Sequence, residues 1–449
     1  MGNGKRKASE NKEAGAGALT ATQLRNRRKR RKQKEDKKAA KAQGGGANIA
    51  GPLGSGRKKN QDPSQRYISK PTKAPIVRRA VQFFRDNPPS DSEGFKVTVG
   101  PLKGWRTVAK LAVRSCNGLL KIGLFAPGTH DLLDLPTYPA HHPSVNAAMG
   151  LVQKRCRKAN VEAFNEATGE GSLRYLTISV ERSTGRQQIT LVWNGRDQQS
   201  KERQDIIHRL VEASKNRDIP SFNLHSLWIH YDTSWKHSNS IYSRDGEWER
   251  VHGDEDVLEK LDIPSAPSVA LRFPPQVFRQ ANIDQFTQIV AKIRSWVSDH
   301  GKKDCLELYG GVGTIALHLS DSCKSIVSSD ENPFNKKCFE TSLQELKGHG
   351  QKISYVSKNA SAMVNAGHIE KADLVVVDPP RKGLEETVSS ALASTKRPKL
   401  LVYVSCGFEA FTKDFEVLTR RGNWNLEHAE GHVLFPGSDA IETLAFFTR

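Results

Sequence analysis

The sequence predicts an α/β chain. A doubly wound, mostly parallel sheet is expected over residues 276–449, a mixed α/β central domain over 76–275, and a disordered basic arm over 1–75. Three observations lead there. After residue 300, short continuous apolar runs alternate with helix-period segments, the pattern of strands buried on both faces between helices. Before residue 275, strand-like alternation and a hairpin signal stand beside helical spacing. The first 80 residues hold 23 Lys/Arg against 5 Asp/Glu.

The arm accounts for nearly all of the formal charge of +20 on the 449-residue chain. It is rich in Lys, Arg, Gly, Ala and Asn and has almost no aromatics, so it cannot bury enough apolar surface to offset its ordering entropy. Lys5-Arg6-Lys7 and Arg25-Asn26-Arg27-Arg28-Lys29-Arg30-Arg31-Lys32 fit a nuclear or nucleolar import signal and an RNA tether. A plastid or mitochondrial transit segment fits less well, because Glu10, Glu13, Glu35 and Asp36 interrupt it. No apolar run approaches the ~18 residues of a membrane span. The six cysteines form no CxxC pair, so neither a zinc ribbon nor an iron–sulfur site has local support. They suit a reducing compartment.

The elements follow in order. Residues 95–99 alternate as a strand. Residues 173–180 and 188–193 flank Ser183-Thr184-Gly185-Arg186 as a hairpin. Residues 205–215 have helical period, and 227–231 form another strand. Pro274-Pro275 marks a boundary. Then strands at 304–309, 325–327, 353–356, 373–377 and 400–404 alternate with helices, among them 314–319 and 335–346. In such sheets ligands bind beyond the carboxyl ends of the strands. A glycine turn, Asp330, Asp378 and Cys406 all fall at such ends.

Gly310-Gly311-Val312-Gly313-Thr314 lets the backbone turn tightly and approach a ligand. No Lys-Ser/Thr follows it, so a phosphate-binding P-loop is excluded, and the dinucleotide GxGxxG spacing is absent. Asp330, an acid ending the next strand, suits the ribose of a nucleoside. The adenosyl part of S-adenosylmethionine fits best. Asp378-Pro379-Pro380-Arg381-Lys382-Gly383 holds a carboxylate at a stiff turn. Arg381 stands where enzymes acting on exocyclic amines carry an aromatic, which argues against an amino target. Cys406, in Val404-Ser405-Cys406-Gly407, is either an inert structural thiol or a nucleophile. Carbon 5 of uracil needs one, because it is too weakly nucleophilic to take a methyl group directly. A base must then remove the C5 proton, and Glu442 on the last strand is the candidate.

Together these residues resemble the 5-methyluridine (uracil-C5) RNA methyltransferase family, a Rossmann-like class I methyltransferase group. The motifs run from Phe278-Arg279-Gln280-Ala281-Asn282 through Leu306-Glu307-Leu308-Tyr309, the glycine turn, the Asp378 motif and Tyr403-Val404-Ser405-Cys406 to Phe435-Pro436 and Ile441-Glu442-Thr443. Gly104-Trp105-Arg106 and His141-His142-Pro143-Ser144-Val145-Asn146 extend the likeness upstream. The resemblance implies that Gln280, Tyr309, Asp330 and Asp378 line the cofactor and target-base pocket, with Cys406 as nucleophile and Glu442 as proton acceptor. It implies S-adenosylmethionine as cofactor and transfer or ribosomal RNA as substrate. A monomer is expected, with no metal and no iron–sulfur cluster, since the clustered cysteines of many members are missing. Three positions depart from the family: Gly310 for a Cys, Gly407-Phe408 for Asn-Pro, and Ala440 for a His two residues before the Glu. Two alternatives stand. A 5-methylcytidine RNA methyltransferase would want a second Cys near Asp378-Pro379-Pro380, and a catalytically impaired RNA-binding homologue would not need both Cys406 and Glu442.

Overall fold

The computed structural model describes residues 62–449 except 134, 196–199, 218, 235–240 and 347–351. The basic run at 25–32, with the arm to residue 61, lies outside the described residues. Residues Lys59–Arg449 form one compact unit.

Among the described residues the chain opens with 3-10 turns at Pro63–Gln65 and Pro71–Lys73, the helix α1 (Pro75–Asp86) and the strand β1 (Lys96–Val99). A central sheet follows, built from β2 (Val108–Cys116), β3 (Leu119–Gly123), β4 (Leu173–Val180), β5 (Gln187–Asn194), β6 (Leu224–Asp232) and β7 (Glu247–Gly253). Helices α2 (Pro143–Lys158) and α3 (Lys201–Lys215) pack on one of its faces. Its order is β3-β2-β4-β5-β6-β7, antiparallel except where β5 and β6 run parallel across the α3 connection. Leu111, Leu176, Ile178, Ile189 and Leu191 point into its core, while the alternate residues of the same strands face away.

After the short ladder of β8 (Val257–Glu259) and β9 (Leu271–Phe273) comes the expected alternation. It runs α4 (Ile283–Asp299), β10 (Asp304–Leu308), α5 (Thr314–His318), β11 (Ser325–Ser329), α6 (Pro333–Glu345), β12 (Lys352–Val356), α7 (Ala360–Asn365), β13 (Leu374–Val377), α8 (Glu386–Ser394), β14 (Leu400–Ser405) and α9 (Phe408–Gly422). It closes with β15 (Asn425–Val433) and β16 (Glu442–Thr448). The eight-stranded sheet has the order β1-β15-β16-β14-β13-β10-β11-β12, with β16 antiparallel to both neighbours. Every residue of β13 and β14 is buried, as strands covered by helices on both faces must be. Residues 374, 376, 400, 402, 404, 444 and 446 enter one apolar cluster, and 375, 377, 401, 403, 445 and 447 enter the other. The fold is the Rossmann-like class I arrangement.

Two placements differ from the sequence reading. Residues 62–75, assigned to the disordered arm, are ordered: Tyr67 N donates to Gly437 O at 2.8 Å, and Ala74 is fully buried. Backbone hydrogen bonds and a few apolar anchors, Tyr67 and Ala74, fix this stretch, too sparse a signal to stand out in its composition. Residues 75–99, placed in the central domain, complete the large sheet instead. β1 pairs parallel with β15, Lys96 opposite Glu430 and Val99 opposite Val433. Phe84 of α1 stacks on Phe95 at 4.2 Å. Likewise β8 and β9, on the central side of Pro274-Pro275, bury Val257, Leu271 and Phe273 against the large sheet's core.

Candidate active site

At the cofactor end, β10 runs out at Leu308 and the chain turns sharply. Tyr309 takes φ +61°, Gly311 +55° and Gly313 +81°. A Cβ on Gly313 would collide with the Phe339 ring, and one on Gly310 with the Glu307 and Ser328 side chains. The Gly310 that departs from the family pattern is thus the residue this packing requires. Gly310 N donates to Ser329 O (2.8 Å), and Tyr355 Oη donates to Gly311 O (2.9 Å), tying the turn to the next two strands. Asp330 accepts from Gly311 N (3.2 Å) and Asn332 N (2.8 Å). Its two oxygens retain further lone pairs for ribose hydroxyls. Space is open where a Gly311 side chain would project. This cradle fits an adenosyl group, which the glycine turn and Asp330 would hold.

Glu307 was part of the motif but carried no role in the sequence reading. It is buried under the turn, accepting from Ala316 N at 3.1 Å and from Ser328 Oγ. Desolvation pushes its carboxyl up to about 8. It links the first turn of α5 to β11 and so sets the shape of the loop above it. An acid inside an apolar strand was the signal available for it.

The second half of the site is set by strand register. Ser405 pairs with Thr443 across the antiparallel β14–β16 ladder. One step further, Cys406 lies opposite Glu442, and directly opposed residues share a face. That face is the one into which 402, 404, 444 and 446 point, so Asp378, two residues beyond Val376, faces the same way. Cys406 and Glu442 therefore form a row across β14 and β16, with Asp378 on the same face of the adjacent β13, level with Val404. Cys406 is half-buried; burial first, then the Glu442 and Asp378 carboxyls, push its thiol up to about 12. Burial raises Asp378 to about 7. Glu442 is buried, and desolvation, then Asp378, hold its carboxyl well above the usual range.

Arg381 opposes these effects, lowering the pKa of both Cys406 and Glu442. The sequence reading used it only to exclude an amino target. The structure also explains Gly407. Its φ is an ordinary −123°, so conformational freedom is not its purpose. A Cβ there would collide with the Arg381 carbonyl, so Gly407 lets the Arg381 backbone lie against the Cys406–Gly407 segment.

The remaining expected residues fall into place around two adjoining cavities. Gln280, Tyr309 and Asp378 line a narrow one of about 60 Å³, with Gly310, Gly311 and Phe278. Gln280 and Phe278 also line the second, of about 910 Å³, which Arg381, Phe435 and Ala440 share. Phe278 is 67% exposed, a large aromatic left open at the junction. At Ala440, where the family carries an imidazole, the wall is a methyl group. Among the described residues no cluster of His, Cys, Asp and Glu is arranged to hold a metal, and no helix is long and apolar enough to cross a membrane.

The strand–glycine turn–helix, the acid ending the following strand and the Asp378 motif define an S-adenosylmethionine-dependent class I methyltransferase. No protein-family model matches the chain. It is 36% identical over 364 residues to an uncharacterised RNA methyltransferase of Protochlamydia amoebophila, covering 80% of this chain and 91% of that one. A second uncharacterised RNA methyltransferase, from Geobacter sulfurreducens, is 26% identical over 348 residues, covering 77% and 66% of the two chains. Among solved structures, the Pyrococcus abyssi tRNA (uracil-54, C5)-methyltransferase in complex with S-adenosyl-L-homocysteine shares the fold, with a TM-score of 0.63, 21% identity, and coverage of 83% of this chain and 81% of that one. The chain belongs to the same family of RNA methyltransferases as the Protochlamydia protein.

Proposed function

We propose that this protein methylates carbon 5 of a uridine in transfer or ribosomal RNA, through a covalent bond between Cys406 Sγ and carbon 6 of the base. One observation carries the reading: the β14–β16 register sets Cys406 opposite Glu442, on the sheet face that also presents Asp378. Cys406 Sγ adds to C6, and the C5–C6 electron pair moves into an enolate, which makes C5 nucleophilic. S-adenosylmethionine, when bound, supplies the electrophilic methyl group. Glu442 then takes the C5 proton. The electrons of that C–H bond re-form the C5–C6 double bond and expel the Cys406 sulfur.

The electrostatics add a condition. The thiol and the Glu442 carboxyl both hold their protons above their ordinary pKa. A raised pKa makes Glu442 a stronger base once ionised but lowers its ionised fraction at neutral pH. Turnover should therefore climb on the alkaline side of neutrality.

The test is direct. RNA incubated with cofactor carrying a tritiated methyl group is digested to nucleosides. Label should appear in 5-methyluridine and vanish with Cys406→Ala, which should retain cofactor binding because the thiol faces the base. RNA containing 5-fluorouridine should trap a denaturant-resistant adduct, since fluorine cannot leave as a proton does. Label in 5-methylcytidine, or an adduct that survives Cys406→Ala, would overturn the proposal.

A further inference from the structure

The 910 Å³ cavity is larger than a uracil needs. It sits at the upper end of the roughly 300–1,000 Å³ of ordinary ligand sites. Cys406 itself does not line it; it reaches from Arg381 and Ala440 to the outward face of the central sheet. There the register aligns Lys110, Thr177 and Thr190 in one row across β2, β4 and β5, with Ser179 opposite Gln188 in the next. All five side chains line the cavity. Tyr242 stands over the row: its Oη donates to Thr177 Oγ1 at 2.8 Å, and its ring rests edge-on against Trp248 at 4.8 Å. The ring is thereby fixed before any ligand arrives. Lys110 Nζ lies 5.8 Å from the ring centroid.

The cations around this cavity outnumber its carboxylates. Among the described residues no carboxylate pairs with Lys110, and the crowding of the wall lowers its ammonium pKa. Arg66, Arg106 and Arg381 line the same cavity. Its two carboxylates, Asp62 and Asp439, offset only part of that charge, and Asp62 acts on Arg106. Asp62 accepts from Ser64 N and Oγ, and Asp439 accepts from Ile76 N. A surplus of cations over anions around one cavity favours an anionic ligand. A fixed aromatic ring beside such a cation is the pairing by which proteins hold single-stranded nucleic acid, base on ring and phosphate on cation.

We propose that this wall is a subsite for the nucleotide next to the target uridine, its phosphodiester on Lys110 and its base on the Tyr242 ring. The inference rests on the RNA-uridine reading above and adds a second recognised nucleotide to it. The enzyme then takes its substrate as a strand opened over at least two nucleotides, rather than as a lone extruded base.

The test uses the full chain with S-adenosyl-L-homocysteine and fluorescein-labelled oligouridylates of one, two and four nucleotides, read by anisotropy across a salt series. Wild type should gain affinity sharply between one and two nucleotides. Lys110→Ala should remove most of that gain and flatten the log–log salt slope by about 0.7, the loss of one single-strand phosphate contact. Lys110→Arg should restore both. Tyr242→Leu should weaken the two-nucleotide probe by about fivefold or more, as a lost base stack does, and leave a probe with an abasic second position unchanged. Lys110→Ala with wild-type slope and length dependence would overturn the proposal, as would equal losses on base-bearing and abasic probes with Tyr242→Leu. Lys110 is open to solvent, so its variants test the idea even should Tyr242→Leu fail to fold. Binding is measured without methyl transfer, so a different target base in the nucleoside digest would leave this result standing.

Discussion

The glycine turn and the Cys406–Glu442 row lie on one sheet yet are built by different means. Residues 307–314 bring Glu307, Tyr309 and the glycines together within one short stretch of chain, tied to the next two strands, with Asp330 one strand away. Cys406 and Glu442 are 36 positions apart and meet only because β16 runs back antiparallel between β14 and β15. The polarity of the two halves differs as well. Asp330 is satisfied by backbone N–H groups, whereas the Cys406, Glu442 and Asp378 side chains crowd together and push one another toward their protonated forms. A binding site needs its hydrogen bonds complete before the ligand arrives, but a proton-transfer site needs groups whose charge is costly until the substrate comes.

The largest test of that contrast is Glu442→Gln. The amide cannot take the C5 proton, so addition and methyl transfer should proceed while elimination stalls. Turnover should fall by about 10²–10⁴-fold, the usual worth of a positioned base. Enzyme–RNA adducts should accumulate on unmodified RNA and appear as a slowed band on a denaturing gel. Wild-type turnover would reduce Glu442 to a buried strand residue and leave the row without a base.

Next is the cofactor half. Asp330→Ala removes the carboxylate proposed to accept the ribose hydroxyls and releases Gly311 N and Asn332 N. Cofactor affinity by calorimetry should drop by about 1.5–3 kcal/mol, the range for hydrogen bonds to a charged group. The Cys406 adduct with 5-fluorouridine RNA should still form once cofactor is raised to saturation. Unchanged affinity would move the ribose contact elsewhere on the turn.

What was legible in the sequence follows the same divide. The glycine turn could be read because strand, turn and acid are adjacent in the chain. Cys406 and Glu442 could each be singled out, but their pairing came from a family likeness, since register between β14 and β16 leaves no local mark. The edge strand β1 reads as a strand, yet its partner β15 lies more than 300 residues away, so composition placed it in the wrong layer. Gly407 showed in the sequence only as a departure from the family pattern, because the Arg381 carbonyl that excludes a side chain there comes from a different loop.

A smaller effect isolates Arg381. Iodoacetamide reacts with the thiolate, so Cys406 alkylation, followed by peptide mapping to separate it from the half-exposed Cys116, reports thiolate fraction without RNA. With the thiol pushed up to about 12, alkylation should be slow at pH 7 and rise about tenfold per pH unit through pH 9. Arg381→Ala should move that curve to higher pH, because it removes the cation that lowers the thiol. Glu442→Gln should move it lower, because it removes the carboxylate that raises it. Curves unmoved by either substitution would mean that burial alone sets the thiol.

The smallest effect tests whether Glu307 belongs with the satisfied half or the strained one. Its carboxyl holds its proton up to about 8 in the folded chain, against 4.5 for the ordinary group. Between those values the folded state binds a proton that the unfolded chain has released, so stability falls as pH rises from about 4.5 to 8. Glu307→Gln should cancel that part of the slope. Its amide oxygen can keep the Ala316 N–H, and its NH₂ can donate to Ser328 Oγ, whose hydroxyl no longer has to donate. The variant should thus match or exceed the wild-type thermal midpoint at pH 8 and lose the advantage toward pH 5, while binding cofactor nearly as well. Asp378, raised to about 7 by burial, adds a slope of the same sign in both proteins and cancels in the comparison. A midpoint difference between Glu307→Gln and wild type that stays constant from pH 5 to pH 8 would show that the carboxyl is ionised throughout. Glu307 would then be a charged support for the turn, and the electrostatic contrast between the two halves would fail on the cofactor side.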